Sequence, residues 1–294
     1  MFTIITPASS ANLGPGFDSA GVAVNKYLTL QVTKQDKWEI IHDSPLLPSF
    51  LNVDEHFIYK VATDVAKQFN KQLPACKVVM QSDIPLARGL GSSASAVVAA
   101  IELANVLCDL QLTDNDRLKL ATAIEGHPDN VAPAIFGGYI VSATLEHTIE
   151  YIKLPALAVD TVIYIPDVEL KTSDSRNVLP KQFNNDAAAS ASSISNVMLA
   201  ALLTNDFVTA GKMMENDMFH EPYRSSLIPN YDFIKSEAKK LGAYGTVISG
   251  AGPTMISFVP QNQGEDIAAS MQKTLPTYDV TRLTIDNNGV VVKK

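Results

Sequence analysis

The sequence predicts a mixed α/β (α+β) protein made of two domains. Segments with the two-residue period of strands alternate with segments of helical period, and this order restarts after Pro155–Asp160. The 294 residues are 46% hydrophobic, enough to fill one large core or two ordinary ones. Because each half carries its own apolar set, we place the domains at residues 1–157 and 158–294.

The first half is predicted to combine strands with amphipathic helices. Phe57, Val61 and Val65 recur at helical spacing, and Thr113 followed by Asp116 is an N-cap signal for a later helix. The predicted strands are 2–6, 22–33, 38–41, 77–81, 139–144 and 149–154. The predicted helices are 54–70, 93–110, 113–126 and 131–136. We expect the last two strands to pair as a hairpin.

The second half is predicted to begin again with a strand and then to become helical. The predicted elements are a strand over 161–165, several helices between 186 and 241, a strand, turn and strand over 245–259, a helix over 265–275 and a strand over 280–286. The sequence contains no internal repeat and no heptad array. This order supports a second mixed α/β domain.

Composition excludes several classes of partner. The net charge is −8, the pI is near 5.1, and Lys and Arg form no cluster, so we expect neither nucleic acid nor a membrane surface as a main partner. Met1–Pro7 lacks a secretory pattern, and the apolar stretch 94–108 is too short and too polar to span a bilayer. Cys76 and Cys108 lack metal-type spacing with the histidines. We therefore expect a reducing, cytoplasmic compartment and no structural zinc.

The strongest motif is the loop Ile84–Ser95, between a predicted strand and a predicted helix. Gly89 and Gly91 lack Cβ atoms, so their backbone N–H groups can approach an oxyanion closely. Ser92–Ser95 open the helix, where N–H groups are unpaired and the helix dipole favours negative charge. Serine hydroxyls can also reach a Mg²⁺ ion that bridges phosphates. The loop therefore predicts a polyphosphate site, although it is not a Walker A loop because no Lys follows the second Gly.

Two other interpretations of this loop remain open. Gly89–Ala94 matches the dinucleotide fingerprint, and Asp109 lies near the expected distance downstream, which would indicate an NAD-dependent dehydrogenase. In a Rossmann unit, however, the acidic residue ends a second strand, whereas Asp109 precedes a helical pattern. A merely tight turn would explain one glycine but not a Gly/Ser cluster of this length.

Two further glycine-rich clusters occur, at Pro7–Gly21 and Ile248–Ile256. Each alone is typical of an ordinary turn. In order and spacing, the three clusters together resemble the GHMP kinase superfamily over nearly the whole chain. Within that superfamily, three segments are most similar to the members that act on homoserine: Ser10–Asp18, Asp129–Gly138 and Glu221–Arg224.

The resemblance implies a two-domain GHMP kinase fold, with an N-terminal ribosomal-protein-like α/β domain, a C-terminal ferredoxin-like domain and a cleft between them. It implies ATP on the glycine-rich loop, with Mg²⁺ held by Ser93 and Glu125. The implied nucleotide-binding residues are Pro85, Leu86, Ala87, Arg88, Gly89, Leu90, Gly91, Ser92, Ser93, Ala94 and Ser95.

The resemblance also implies how the acceptor would bind. Arg176 and Arg224, with Thr172, would take the carboxylate of an amino acid, and Asp18 its ammonium group. The residues implied to surround the acceptor hydroxyl are Asn12, His127 and Asn130. The third glycine-rich cluster is implied to form another wall of the site, with Gly250 and Gly252. We assign catalytic roles to Asn12, Glu125, Asn130 and Arg88, the exact role of Arg88 being open. Asn130, rather than the adjacent Asp129, is expected to orient the hydroxyl.

The function implied by the resemblance is ATP-dependent phosphorylation of the hydroxyl of L-homoserine, a step of threonine biosynthesis. A homodimer is the default expectation for such an enzyme. The alternatives are a sibling kinase that acts on a sugar or an isoprenoid alcohol, an NAD-dependent dehydrogenase, and a nucleotide-binding protein without catalytic activity.

Overall fold

The computed structural model describes residues 1–146 and 148–294 and contains a seven-stranded and a four-stranded β-sheet with helices packed against them. The larger sheet is built from β1 (Phe2–Ala11), β2 (Ala20–Lys34), β3 (Glu39–His42), β4 (Cys76–Ser82), β5 (Tyr139–Thr144), β6 (Ile149–Lys153) and the late strand β11 (Val291–Lys293). Its strand order is β11-β1-β2-β4-β3, and β5 joins β2 and β6. All pairs are antiparallel except β3 with β4.

Four helices accompany this sheet: α1 (Phe57–Gln68), α2 (Ser92–Cys108), α3 (Asp114–Glu125) and α4 (Pro128–Phe136). The predicted N-cap at Thr113 is confirmed, since its hydroxyl accepts from the backbone N–H of Asp116 and the Asp116 carboxylate accepts from that of Thr113. Gly126 ends α3 in the left-handed conformation. The predicted hairpin of β5 and β6 is also confirmed.

The second sheet has the order β10-β7-β9-β8. Its strands are β7 (Val159–Pro166), β8 (Gly245–Ile248), β9 (Met255–Pro260) and β10 (Tyr278–Leu283). The helices of this half are α5 (Thr172–Asn177), α6 (Asn185–Leu203), α7 (Phe207–Met214), α8 (Glu221–Arg224), α9 (Tyr231–Lys240) and α10 (Gly264–Thr274). The predicted mixed α/β fold of two parts is therefore confirmed.

Strand β1 is longer than predicted, and one strand was not predicted. β1 continues beyond Thr6 to Ala11 with a register shift at Pro7/Ala8, a position where proline cannot donate a ladder hydrogen bond. β11 pairs with Thr3–Ile5 of β1, so the chain returns to the first sheet after completing the second.

The two halves share the larger core, which corrects the expectation of a separate apolar set for each. Side chains of β7 alternate between its two faces, as the strand period requires. Ile163 belongs to the larger core with Met198 of α6, whereas Val162 and Tyr164 belong to a smaller core. That smaller core lies under α9 and α10. The four-stranded sheet is therefore covered on both faces, and its inner face joins the two halves.

Helix α6 is unusual in composition and exposure. By length and composition alone it is the one helix among residues 1–146 and 148–294 that could cross a membrane. Its most apolar 18-residue stretch has a mean hydropathy of 1.3, and 22% of that stretch is buried. A single helix of this kind is weak evidence for a membrane span. Here α6 packs against α7 and contributes Met198 and Leu202 to the larger core.

Candidate active site

Helix α2 begins at the centre of the site, directly after the glycine-rich loop. Its N-cap is Gly91, which has a φ of 65° and offers no side-chain oxygen to the N–H groups of the first turn. A helix of 17 residues places a partial positive charge at this end. The start of α2 is therefore suited to bind an anion, as the sequence predicted.

The two glycines of the loop are required for packing as well as for ligand approach. A Cβ atom on Gly89 would lie 2.3 Å from the backbone oxygen of Ser249, and one on Gly91 would lie 2.2 Å from Oγ of Ser9. Ser249 Oγ lies 2.6 Å from the Gly89 oxygen and 2.8 Å from Ser10 Oγ. The three glycine-rich clusters of the sequence thus meet through direct contacts.

A cavity that is open to solvent lies where these clusters meet, and the space within it, open solvent included, is about 650 Å³. The predicted residues that line it are Asn12, Asp18, Ala87, Gly89, Gly91, Ser92, Ser93, Ala94, Glu125, His127, Asn130, Thr172, Arg176, Arg224, Gly250 and Gly252. Asp129, Leu170 and Ala251 also line it. Residues from both halves of the chain therefore build one cavity.

The remaining predicted residues lie outside this cavity: Pro85, Leu86, Arg88, Leu90 and Ser95. Leu90 is buried in the larger core, and Ser95 Oγ donates to the oxygen of Pro7 at 2.7 Å. The Arg88 guanidinium turns toward the second half, where it bonds the Pro166 oxygen and pairs with Asp167 at 3.3 Å. The structure therefore does not bring Arg88 together with the other predicted catalytic residues.

Glu125 ends α3 and faces the start of α2. Its carboxylate lies near the Ser93 hydroxyl, while Oε2 is buried and has no hydrogen-bond partner among residues 1–146 and 148–294. Burial raises the pKa of Glu125, and the Ser93 hydroxyl opposes this rise. A buried carboxylate oxygen without a partner, beside a hydroxyl, is a donor set suited to a hard cation such as Mg²⁺.

His127 and Asp129 form a second polar group on the cavity wall. His127 Nδ1 is hydrogen-bonded to the buried carboxylate of Asp129. Burial alone would lower the pKa of His127, but the Asp129 carboxylate outweighs it, so the pKa is raised. Among the described residues, Asp18, His127 and Asp129 are the group whose potential metal-binding atoms lie within 4.8 Å of one another. Mg²⁺ prefers oxygen, so the imidazole makes this group the poorer magnesium site.

Asp18 is paired with Arg176 across the cavity. Arg176 Nη2 lies 2.7 Å from Asp18 Oδ1, and Nη1 lies 3.3 Å from Oδ2. Asn12 fixes this loop, because its Oδ1 accepts from the Asp18 N–H at 3.0 Å and its Nδ2 donates to the Gly250 oxygen at 2.8 Å. The amide of Asn12 therefore positions Asp18 and joins the first glycine-rich cluster to the third.

Arg224 is a buried cation, 2% exposed. Its guanidinium donates to the backbone oxygens of Ser175 at 3.2 Å and Gly250 at 3.1 Å, and it forms no salt bridge with a described carboxylate. Burial, followed by the charge of nearby Arg176, lowers the pKa of Arg224 to about 10. Because burying an unpaired charge is costly, an anionic ligand that pairs with this guanidinium would remove that cost.

Two residues that contact the arginines of the site were not predicted, although both lie in or beside the segments that resemble the GHMP kinases. The ring of Phe17 lies 5.4 Å from the Arg224 guanidinium and 5.7 Å from that of Arg176. His220 is fully buried and directly precedes the Glu221–Arg224 segment. Neither residue type signals such a position by itself, because aromatic and imidazole groups inside a domain are most often core.

The family models for GHMP kinases match this chain in both halves. The model "GHMP kinases N terminal domain" matches residues 56–138, and "GHMP kinases C terminal" matches residues 198–277. These matches include the glycine-rich loop, α2 and Arg224.

Curated and solved relatives agree with the family models. A homoserine kinase of Oceanobacillus iheyensis is 51% identical over 100% of this chain and 99% of its own length. One of Bacillus velezensis is 42% identical over 100% and 95%. The crystal structure of a homoserine kinase from Cytophaga hutchinsonii has a TM-score of 0.86 at 29% identity and covers 99% of this chain and 96% of that one. The chain thus belongs to the homoserine kinases of the GHMP kinase family.

Proposed function

We propose that this chain transfers the γ-phosphoryl group of ATP to the side-chain hydroxyl of L-homoserine, giving O-phospho-L-homoserine for threonine biosynthesis. The observation that carries the proposal is one cavity with two chemically different ends. One end is the start of α2, rich in hydroxyls and glycine. The other end holds Asp18, Arg176 and Arg224.

The charged end fits an amino acid better than other alcohols. A zwitterion offers an ammonium group for Asp18 and a carboxylate for Arg176 and Arg224, so Asp18 and Arg176, which pair with each other, would each keep a partner and Arg224 would gain one. A neutral sugar would leave the buried cation of Arg224 unpaired. An alcohol with a carboxylate but no ammonium group would draw Arg176 away from Asp18 and leave the Asp18 carboxylate without a partner. The charges therefore favour homoserine over the substrates of sibling kinases.

The nucleotide is assigned to the other end of the cavity. The triphosphate would bind the N–H groups of Gly91 and of the first turn of α2. Ser93 and Glu125 would hold Mg²⁺, because the orphaned Oε2 of Glu125 and the neighbouring hydroxyl form an all-oxygen donor set. When bound, Mg²⁺ neutralises charge on the phosphates.

The chemistry proposed for the acceptor end is positioning. The homoserine oxygen forms a bond to the γ-phosphorus while the bond from the γ-phosphorus to the bridging oxygen of ADP breaks, and the hydroxyl proton leaves to a phosphate oxygen or to water. Asn130 is assigned to orient the hydroxyl, and its Oδ1 is held by Ser9 Oγ at 2.9 Å. Asp129 also faces the cavity, but its carboxylate is engaged by His127. These contacts support Asn130 as the orienting group.

The proposal is tested by ADP release measured in parallel with L-homoserine, mevalonate and galactose at equal concentration. We expect turnover with L-homoserine and turnover lower by at least about tenfold with the other two, the effect of one unmatched charge-assisted hydrogen bond. Phosphorus NMR of the product identifies O-phosphohomoserine. Faster turnover with mevalonate or galactose, or none with any of the three, contradicts the proposal.

A further inference from the structure

His220 lies between the two halves of the chain at the end of the cavity that carries the arginines. The residue is fully buried and directly precedes α8. Its Nε2 lies 3.0 Å from the backbone oxygen of Gly14, in the loop that leads to Asp18. Its Nδ1 lies 3.3 Å from Nη1 of Arg224. One imidazole therefore connects the first glycine-rich cluster to the buried guanidinium.

The two partners fix the tautomer of this imidazole. A backbone carbonyl only accepts, so Nε2 carries the hydrogen and donates to Gly14. A guanidinium only donates, so Nδ1 is unprotonated and accepts from Arg224. Burial lowers the pKa of His220, although Asp217 and Glu221 oppose this, and the direction agrees with a neutral ring. The ring is therefore the neutral Nε2–H form.

The bonds of the Arg224 guanidinium divide its nitrogens into two groups. Nε donates to the Ser175 oxygen, and Nη1 donates to the Gly250 oxygen and to His220. Within the described part of the chain these bonds leave Nη2 for a ligand. The Phe17 ring stacks on the His220 ring at 5.4 Å and also contacts the guanidinium. The plane and the rotation of the guanidinium are thus set by its neighbours.

We propose that His220 is a positioning residue for the substrate carboxylate. It holds the Arg224 guanidinium in the orientation that presents Nη2 to the cavity, and through Gly14 it fixes that guanidinium relative to Asp18, which receives the other charge of the substrate. His220 is absent from the cavity wall, so it acts through Arg224. This inference deepens the proposed function and rests on it.

The backbone around His220 does not depend on the imidazole. The Asp217 carboxylate accepts the N–H groups of His220 and Glu221, each at 2.8 Å. The Glu221 carboxylate accepts from the Ile248 N–H at 2.6 Å and thereby ties α8 to the second sheet. A change confined to the imidazole therefore leaves the main supports of α8 in place.

Two isosteric changes separate the two hydrogen bonds of the ring. In His220→Asn, the amide oxygen can take the place of Nδ1 and keep the bond to Arg224. In His220→Gln, the amide nitrogen can take the place of Nε2 and keep the bond to Gly14, while the acceptor for Arg224 is lost. We expect His220→Gln to raise KM for L-homoserine by about tenfold and His220→Asn by less than about threefold, with KM for ATP unchanged in both.

The matched control is His56→Gln. His56 is also a buried histidine whose Nδ1 accepts a hydrogen bond, here from the backbone N–H of Ile58 at the start of α1. We expect this variant to lower the melting temperature without changing KM for L-homoserine. The control separates the loss of any buried imidazole acceptor from loss of the one that faces Arg224.

A direct measurement keeps the proposal testable if a variant does not fold. Two-bond proton–nitrogen NMR of the wild-type enzyme should show His220 with a protonated Nε2 and an unprotonated Nδ1. The opposite tautomer, or a charged ring, overturns the proposal. The proposal is also overturned if His220→Gln folds and its KM for L-homoserine is unchanged. It is overturned as well if KM for L-homoserine rises equally in His220→Gln and His220→Asn. Wild-type enzyme that does not use L-homoserine overturns the proposed function itself, and this inference with it.

Discussion

Asp18 and Arg176 bind each other across the candidate active site, with 2.7 Å between Oδ1 and Nη2. The pair joins the loop after β1 to α5, and both side chains remain more than one third exposed to the cavity and solvent. A zwitterion that enters between them exchanges one ion pair for two. This exchange limits the net cost of separating the pair and makes binding depend on both charges of the ligand.

Replacing Asp18 by Asn should therefore weaken the binding of L-homoserine and leave ATP binding unchanged. Loss of a hydrogen bond to a charged group is worth about 1.5–3 kcal/mol, so we expect KM for L-homoserine to rise by about tenfold to a hundredfold. Steady-state kinetics with each substrate varied in turn measures both constants. Asp64→Asn is the control, because Asp64 forms an exposed ion pair with Lys67. Equal increases of both KM values would contradict the assignment.

Glu125→Gln should stabilise the metal-free protein while it lowers turnover. Burial raises the pKa of Glu125, so the folded protein binds this proton more tightly than the unfolded chain does. The stability that comes from this proton is present below the ordinary carboxyl pKa and is lost as pH rises through the raised one. In EDTA, the melting temperature of the wild type should fall across that window, and that of the variant should fall less.

Mg²⁺ provides the second half of this test. Added Mg²⁺ with ATP should raise the melting temperature of the wild type more than that of Glu125→Gln, because a ligand stabilises the state that binds it. Thermal melts with and without EDTA measure both effects. An identical magnesium response in the two proteins would remove Glu125 from the metal site.

Gly91→Ala should weaken ATP binding and destabilise the fold. The new Cβ would lie 2.2 Å from Ser9 Oγ, and the backbone φ of 65° is strained for alanine. Gly242→Ala is the matched control, since Gly242 also has a positive φ, 96°, but nothing lies within 4 Å of its Cβ position. We expect the control to lose about 1 kcal/mol of unfolding free energy and no ATP affinity. Urea unfolding and calorimetry with ATP measure the two quantities; equal losses in both variants would show that strain alone matters.

Asp286→Ala should destabilise the protein from a position outside the active site. The Asp286 carboxylate accepts from the hydroxyl of Tyr27 at 2.8 Å and from the backbone N–H groups of Asn288 and Gly289 at 2.9 and 2.8 Å. Removing an acceptor with buried donors costs about 1–3 kcal/mol. Urea unfolding measures this loss, with the exposed Asp279→Ala as control. A loss no larger than that of the control would contradict the assigned role of Asp286.

Much of the fold was predictable because period and capping are local signals. The capping box at Thr113 and the glycines that end α3 and α4 fixed helix boundaries without reference to the rest of the chain. β11 was missed because three residues carry too little pattern to mark a strand, and its partner β1 lies almost 290 positions away. The sequence does not mark the end of β1 as strand, because Ser9 and Ser10 are polar and become buried only through contacts with the other two glycine-rich clusters.

The candidate site, like the fold, could be predicted only in part. The glycine-rich loop was predicted because its residue types are restricted by the ligand they suit, whereas Arg176 and Arg224 were assigned only through the resemblance of their segments to the GHMP kinases. Arg88 was assigned to the site because it lies within the glycine-rich loop. Its guanidinium instead forms ion pairs with Asp167 and Glu169 of the second half. His220 and Phe17 act through neighbours rather than through a motif of their own, and such roles are visible only once the chain is folded.

The pairing of β11 with β1 also bears on how the protein forms during synthesis. A nascent chain can bury most of the first sheet early, but one edge of β1 keeps its backbone N–H and C=O groups unpaired until residues 291–293 have left the ribosome. During translation that edge is open to a neighbouring nascent chain. Correct assembly of the first sheet therefore depends on how soon the late strand arrives, and slow or stalled translation before residues 291–293 should favour aggregation.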